Sequence, residues 1–342
     1  MRRALLLLLL PALASASVLS SSMKKARESK GRAANGDAAA PDGDAPESHH
    51  GVLEAPLPMM QLRSGLRRQV LEALEAHGAS ITIMVVGETG AGKTSLLSNL
   101  FHRKLEWPVG TRTEGIKELT VSFQLHGEGT EVSVPFEARL VDSPGWGDLM
   151  SLERSFRLVT RTLDAKYRKT LRAETRLDRG SARSPSSVPF EGGQHVDVVL
   201  YCFNPHRCKG VDMAFLQRLK RRACIVPVLC KADTMTTAEL KRFRREVSAA
   251  LSAAGVQVAH PPLAVICADE LDPPQRGRRY PWGCAASEAD TEHAQLGALR
   301  RFLLIDGLLA LKQASQAHYE AFRRATLRRR RRRRALVAVI AA

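Results

Sequence analysis

Apolar residues fall into short runs separated by longer stretches of helical period. Ile81 to Val86 is a nearly unbroken apolar run ending at a glycine-rich turn, the pattern of a buried strand. Thr120 to Leu125, Phe136 to Val141, Val196 to Phe203, Ile225 to Leu229 and Leu263 to Cys267 read the same way. Between and around them, apolar positions recur at helical spacing in Leu62 to Ala76, Thr94 to Phe101, Leu152 to Arg172, Met213 to Arg222 and Ala238 to Ala254. A last stretch, Glu292 to Arg329, is also largely helical in pattern. Strands that alternate with helices predict an α/β fold, a mostly parallel sheet with helices on both faces.

The chain before the first strand has a different character. Met1-Arg2-Arg3, the leucines from Leu5 to Leu10 and Ala14-Ser15-Ala16 have the three parts of a signal or targeting segment, assigned to residues 1–22. The apolar part is too short to span a bilayer comfortably. A plain tail, or a true start at Met23 or Met59, is the alternative. Residues 23–58 hold little to bury and read as a disordered linker. Residues 59–80 read as a basic amphipathic helix carrying Arg63, Arg67 and Arg68.

Charge narrows the partners. The formal net charge is +17, from 52 Lys and Arg against 35 Asp and Glu, which favours an anionic partner. Arg328 to Arg334 is an unbroken arginine run inside a polybasic stretch at 325–342. It has three readings: acidic lipid headgroups, nonspecific nucleic acid, or a solvated tail. The cysteines include no Cys-x-x-Cys pair, and several sit in apolar runs, so they read as reduced thiols and not as a disulfide framework or zinc site.

Three motifs carry chemistry. Gly87-Glu88-Thr89-Gly90-Ala91-Gly92-Lys93-Thr94, with Ser95 following, is a full G-x-x-x-x-G-K-S/T loop between a strand and a helix. Its glycines let backbone N–H groups converge on phosphate oxygens, and the helix N-terminus adds favourable partial charge. Lys93 is expected to bridge the β- and γ-phosphates, and the Thr94 hydroxyl to ligate Mg²⁺. Asp142-Ser143-Pro144-Gly145 follows the strand Phe136 to Val141, so Asp142 is placed to hold the metal through water and the Gly145 N–H to sense the γ-phosphate. Cys230-Lys231-Ala232-Asp233 follows the strand Ile225 to Leu229, where guanine-binding P-loop proteins carry N-K-x-D. Asp233 would accept from guanine N1–H and the 2-amino group, a donor pair adenine lacks, while the Lys231 stem packs on the ring. These elements predict a P-loop NTPase G domain over 81–260 that binds GTP and GDP.

Further residues make the chain resemble the septins. Lys231-Ala232-Asp233-Thr234 matches their A-K-A-D-T apart from Cys230, and Val141 to Asp148 is similar to V-D-T-P-G-F/Y-G-D. Gly277-Arg278-Arg279-Tyr280-Pro281-Trp282-Gly283 resembles G-R-x-Y-P-W-G of the septin-unique region. His318-Tyr319-Glu320 with Phe322 and Arg323 resembles the end of the septin G domain. His206 and Lys209, leading into Asp212-Met213-Ala214-Phe215, resemble the loop that crosses between neighbouring nucleotides. The resemblance covers about Ile81 to Arg324.

It implies a septin-unique C-terminal extension at 261–324 and a slow GTPase. Thr120 would stand as switch threonine, ligating Mg²⁺ and placing the attacking water beside Lys93 and Gly145. Arg278 would stack on guanine, Trp282 would anchor the interface between two subunits, and His206 and Lys209 would reach across it. It further implies self-assembly into dimers and filaments, with anionic membrane lipids met by Arg63, Arg67, Arg68 and Arg328 to Arg334 and nucleic acid disfavoured. The implied setting is cytoplasmic, at cytoskeleton and membrane, with an organelle-targeted or ER-anchored form through the leader as the alternative. A nucleotide-holding scaffold without turnover and a monomeric organelle-surface switch are the rival functions. Two departures stand out: Cys267 replaces the small glycine of the base-side loop, and Cys267 to Arg276 is shorter than the family's hairpin.

Overall fold

The computed structural model describes residues 69–103, 105, 115–126, 133–147, 152–175, 195–269, 277–281, 283–289 and 291–341. The leader, the linker, Arg63, Arg67, Arg68 and Trp282 lie outside the described residues. Among those described, no helix is long and apolar enough to cross a membrane.

A helix over residues 69–77 (α1) leads into β1 (Ala79–Gly87), the P-loop and α2 (Lys93–Leu100). Strands β2 (Lys117–His126) and β3 (Ser133–Asp142) precede the long α3 (Leu152–Thr175). Then follow β4 (Val198–Phe203), α4 (Gly210–Leu219), β5 (Cys224–Leu229), a 3₁₀ turn at Ala232–Thr234, α5 (Thr237–Ala253) and β6 (Leu263–Ala264). The sheet order is β2-β3-β1-β4-β5-β6, antiparallel between β2 and β3 and parallel elsewhere. Every residue of β4 and β5 is buried, as a parallel sheet covered on both faces requires. Leu96, Leu97 and Leu100 of α2 pack on one face, and Phe156, Val159, Phe215 and Phe243 of α3, α4 and α5 on the other. On β2 exposed and half-buried positions mostly alternate, because it is an edge strand with one neighbour.

Several boundaries depart from the hydrophobic pattern. Helix α4 begins at Gly210, ahead of the expected Met213. The Asp212 carboxylate accepts from the Lys209 N–H at 2.8 Å and stabilises the first turn. Of the expected strand Leu263 to Cys267 only Leu263–Ala264 is regular strand: Val265 N–H still donates to Leu229 O, but the Val265 carbonyl accepts from the Ala232 N–H of the base-side turn, and at Ala268 both backbone groups bond to the Asn99 side chain. A small hairpin, β7 (Gly277–Tyr280) with β8 (Gly283–Ala286), has four-residue strands that are mostly exposed or half-buried, too short to show an apolar run.

The C-terminal part is α6 (Leu296–Arg301), a π-helical turn (Phe302–Asp306) and α7 (Leu308–Ala341). The arginine run is therefore part of a continuous 34-residue helix, about 51 Å long at the α-helical rise. Ala, Leu and Arg are strong helix formers, and no Gly or Pro interrupts α7.

Helix α7 is pinned to the sheet by a buried ion pair. Lys312 Nζ lies 2.7 Å from Asp197 Oδ2, which also accepts from the Thr82 N–H at 2.8 Å. Two turns further along α7, Tyr319 stacks on His195 with ring centroids 5.3 Å apart. Burial holds the His195 imidazole below its usual range, with Asp197 partly opposing that shift.

Two outcomes are expected. Asp197→Ala leaves Lys312 buried without its counter-charge and lowers stability by about 3 kcal/mol or more, measurable by denaturant unfolding. The unfolded chain protonates His195 near its ordinary value of about 6.5 while the folded chain resists, so stability is lost as pH falls below that value. Unfolding free energies between pH 7.5 and 5 should show that loss, and it should shrink in His195→Phe.

Candidate functional site

The carboxyl ends of β1, β3 and β5 bring the three motifs to one edge of the sheet, where α/β proteins place their ligands. At its centre the P-loop leaves β1 and enters α2. Gly90 (φ 78°) and Gly92 (φ 86°) take left-handed backbone that other residues adopt at a cost, and a Cβ on either would meet nothing within 4 Å. Gly87 has a different reason: a Cβ there would stand 2.5 Å from the Cys202 carbonyl oxygen of β4. The buried Lys93 turns back over the loop, Nζ donating to the Glu88 carbonyl at 3.0 Å. Thr94 Oγ1 donates to Asp142 Oδ2 at 2.6 Å, so the two expected metal-side residues meet. Ser95 follows within α2, and its carbonyl accepts from Asn99 Nδ2 at 2.9 Å.

The loop after β3 closes against the P-loop. Thr89 N–H donates to Trp146 O at 3.0 Å, and Trp146 N–H to Gly87 O at 3.3 Å. Gly145 lies so near Thr89 that a Cβ would be 2.5 Å from its Cα and 2.6 Å from its N. Ala91 is fully buried behind the loop.

Glu88 puts a carboxylate inside the P-loop, and the chain compensates it. Lys209 Nζ lies 2.5 Å from Glu88 Oε1, and Asn204 Nδ2 donates to Oε2 at 2.9 Å. Burial pushes this carboxyl up, but the bonds from Lys209 and Asn204 outweigh it and hold it below its ordinary value. Lys209, expected to reach a neighbouring subunit, thus contacts the P-loop of its own chain, its ammonium 5.7 Å from the Trp146 ring centroid. His206 stands exposed on the same loop with φ 56°.

On the base side, Lys231 occupies left-handed backbone (φ 53°), a strained conformation that clusters at binding sites. The Asp233 carboxylate is 2 % exposed. Its Oδ2 accepts from the Tyr280 hydroxyl and lies 3.5 Å from Arg278 Nη1, while its Oδ1 is buried with no hydrogen-bond partner among the described residues. A buried, unpaired acceptor oxygen between Lys231 and the β7 hairpin suits a donor edge such as that of guanine. Cys230 is buried, its N–H donating to Phe203 O at 3.0 Å, and supplies no orienting amide. Half-buried Cys267 lies nearby, its thiol pushed up to about 12 by desolvation and then by Cys202 and Asp233, so it stays neutral beside that carboxylate. All six cysteines are free thiols.

Thr120 does not join the cluster. It is exposed on β2 opposite Arg139, whereas Lys117 is the residue opposite Asp142. Three strand positions separate it from that edge, about 10 Å at the usual rise.

Two functional residues were missed by sequence reasoning. Tyr280 sat inside a quoted motif without a role. Asn99 of α2 bridges both ways to the base-side loop: Ala268 N–H donates to its Oδ1 at 2.6 Å, and its Nδ2 donates to Ala268 O at 3.2 Å. An asparagine at a buried helix position was the available signal.

The fold and its edge define a P-loop nucleotide-binding domain of the guanine type. The septin family model matches residues 77–274 and 261–335, and the chain belongs to the septin family. It is 29% identical to mouse Septin-14 over 287 residues, covering 77% of this chain and 64% of that protein. It is 26% identical to Drosophila melanogaster Septin-2 over 285 residues, covering 76% and 66%. A solved septin GTPase domain from Chlamydomonas reinhardtii matches with TM-score 0.56 and 28% identity, covering 72% of this chain and 98% of that one. The chain spans just under two thirds of the length of these curated relatives.

Asn99→Leu removes both bonds to Ala268 and leaves a buried N–H and C=O unsatisfied. The expected cost is about 2–4 kcal/mol, with faster amide exchange at Cys267 to Asp269 by hydrogen-exchange mass spectrometry.

Proposed function

We propose that this septin-family chain binds GTP and GDP with Mg²⁺ at the strand-tip edge, hydrolyses GTP slowly and pairs with itself through that face. The observation that carries the reading is the convergence on one edge of Lys93, the Thr94–Asp142 contact and the unpaired Asp233 oxygen. Lys93 and the amides from Glu88 to Thr94 hold the phosphates, with Ser95 in the first turn of α2. Thr94 holds the metal, with Asp142 acting through water. Bound Mg²⁺ supplies charge neutralisation at the phosphates. Asp233 reads the guanine edge, Arg278 and the Lys231 stem cover the ring, and Cys267 leaves the base pocket neutral. Tyr280 releases one Asp233 oxygen as the base enters.

Catalysis asks more of Thr120. To reach the metal side it needs the Lys117–Asp142, Glu118–Val141 and Leu119–Leu140 pairs to open. An edge strand with a single neighbour makes that opening cheap. The Gly145 N–H then senses the γ-phosphate as the loop at 142–146 adjusts. Where Thr120 stays on β2, nucleotide is held without turnover and serves as interface glue. Its distance from Asp142 is the observation that favours this second reading.

Assembly brings His206, Lys209 and Trp282 to a second subunit, and the oligomer meets anionic membrane through Arg63, Arg67, Arg68 and Arg328 to Arg334. Arg328 to Arg332 are exposed on α7, each contributing about 1 kcal/mol near an acidic surface. The role is cytoskeletal, at the cytoplasmic face of membranes.

GTP turnover by the purified chain and by Thr120→Ala, with molecular mass from light scattering, tests the reading. Wild type should turn over as a dimer or larger, and the variant should lose about 10²-fold. Bound GDP without turnover in wild type selects the scaffold reading, and a strict monomer at all concentrations sinks the assembly.

A further inference from the structure

Hydrogen bonds from the chain are unevenly shared between the two oxygens of Asp233. The carboxylate is 2 % exposed, and its Oδ1 is buried with no hydrogen-bond partner among the described residues. Its Oδ2 accepts from the Tyr280 hydroxyl and lies 3.5 Å from Arg278 Nη1. Each carboxylate oxygen has room for about two donors, so Oδ2 is filled by the chain's own side chains and Oδ1 is not. A buried carboxylate short of donors is destabilising, and the Tyr280 hydroxyl relieves that cost whenever no base is bound.

The hairpin that delivers Tyr280 is fastened at its base. Asp269 N–H donates to Gly277 O at 3.3 Å, and a Cβ on Gly277 would stand 2.6 Å from both Ala285 O and Cys284 Sγ. Half-buried Tyr280 stands at the other end of β7, opposite Gly283, which has no side chain to hold the ring from across the strand pair. Arg278, two residues back and so on the same face of β7, places its guanidinium 5.5 Å from the Tyr280 ring centroid. Desolvation and then the bond to Asp233 push the phenol above its ordinary range, so the hydroxyl keeps its proton and acts as a donor.

Guanine brings two donors to this edge, N1–H and the 2-amino group, and each needs an acceptor. One finds Oδ1. The other meets an oxygen already shared by Tyr280 and Arg278. Hypoxanthine lacks the 2-amino group, brings N1–H alone, and is served by Oδ1 with Tyr280 still in place. Resting on the guanine reading of the site, we propose that Tyr280 is an internal competitor for Asp233. Its hydroxyl holds the acceptor that the second guanine donor requires, keeps the carboxylate satisfied between nucleotides, and lowers the preference for guanine over hypoxanthine. The consequence is a base site that holds guanine less tightly and empties without stranding a buried charge.

The test uses the full chain, stripped of nucleotide and titrated in Mg²⁺ with GDP, inosine diphosphate and ADP in competition with a ribose-labelled fluorescent GDP. Wild type is compared with Tyr280→Phe, which keeps the ring and removes only the hydroxyl. In the variant GDP should bind about ten-fold tighter, the worth of one hydrogen bond to a charged group, while inosine diphosphate changes by less than about two-fold. Thermal unfolding gives an independent readout. At one fixed GDP concentration the midpoint should rise further in the variant than in wild type, because only the variant's nucleotide-free form has lost a bond.

Equal gains for GDP and inosine diphosphate, or a GDP affinity that stays the same or falls, overturn the competitor role while leaving the guanine reading intact. A wild-type chain that binds ADP as well as GDP overturns the guanine reading and the proposal with it, an outcome visible before any variant is made.

Discussion

Two backbone hydrogen bonds, from Thr89 N–H to Trp146 O and from Trp146 N–H to Gly87 O, hold the nucleotide edge together. They zip the P-loop to the loop leaving β3, and the Thr94–Asp142 contact closes the same seam from the side-chain level. Such a seam requires close backbone approach, and that explains its glycines before any ligand is considered. Gly87 clears the Cys202 carbonyl and Gly145 clears Thr89. A Gly145 substitution would therefore disturb packing in the closed seam as well as any contact with phosphate. Loss of activity in such a variant says little about phosphate sensing.

The seam carries an electrostatic cost that a second loop offsets. Glu88 places negative charge where phosphate is expected, and Lys209 with Asn204 holds it from the loop after β4. That loop is anchored in turn. Asp212 accepts from the Tyr201 hydroxyl at 2.7 Å and from the Lys209 N–H at 2.8 Å. Burial raises the Asp212 carboxyl above its ordinary value, and both hydrogen bonds work against that rise. The relay Tyr201–Asp212–Lys209–Glu88 joins the core of β4 to the phosphate loop, with Lys209 meeting Asp212 through its backbone N–H and Glu88 through its ammonium. Any partner that engages Lys209 must compete with Glu88, so subunit contact and P-loop geometry are coupled through one ammonium group.

The strands were legible because the parallel sheet is buried on both faces, and Val196 to Phe203 or Ile225 to Leu229 leaves no room for a polar period. The motif residues were legible for the same reason: their chemistry sits at strand ends, where the apolar run stops. What escaped depends on tertiary contact. The start of α4 is set by the Asp212 bond to Lys209, which no propensity reports. The β7–β8 hairpin is short and largely exposed, and Tyr280 meets Asp233 only because the hairpin reaches back to it. The helical pattern was legible only to Arg329, because a run of identical charges carries no apolar period, yet α7 continues through it. Thr120 shows the limit of motif transfer: a position relative to a motif gives a place in the chain and not a place at the edge.

Cys230 shows how the base side keeps its geometry without the expected asparagine. Position 230 is filled by packing, with its N–H taken by Phe203 O, so it orients nothing. The tie between the phosphate and base sides is made by Asn99, whose amide holds Ala268 while its own helix begins at Lys93. One eight-residue helix thus presents its N-terminus to the phosphates and its last turn to the base-side loop. Because a helix transmits displacement as a rigid body, a shift at Lys93 moves Ala268 and, through the adjacent Cys267, the wall beside Asp233. Recognition at the two ends of a nucleotide is then one mechanical problem, and on the base side the contact outside that linkage is the Tyr280 hydroxyl on Asp233.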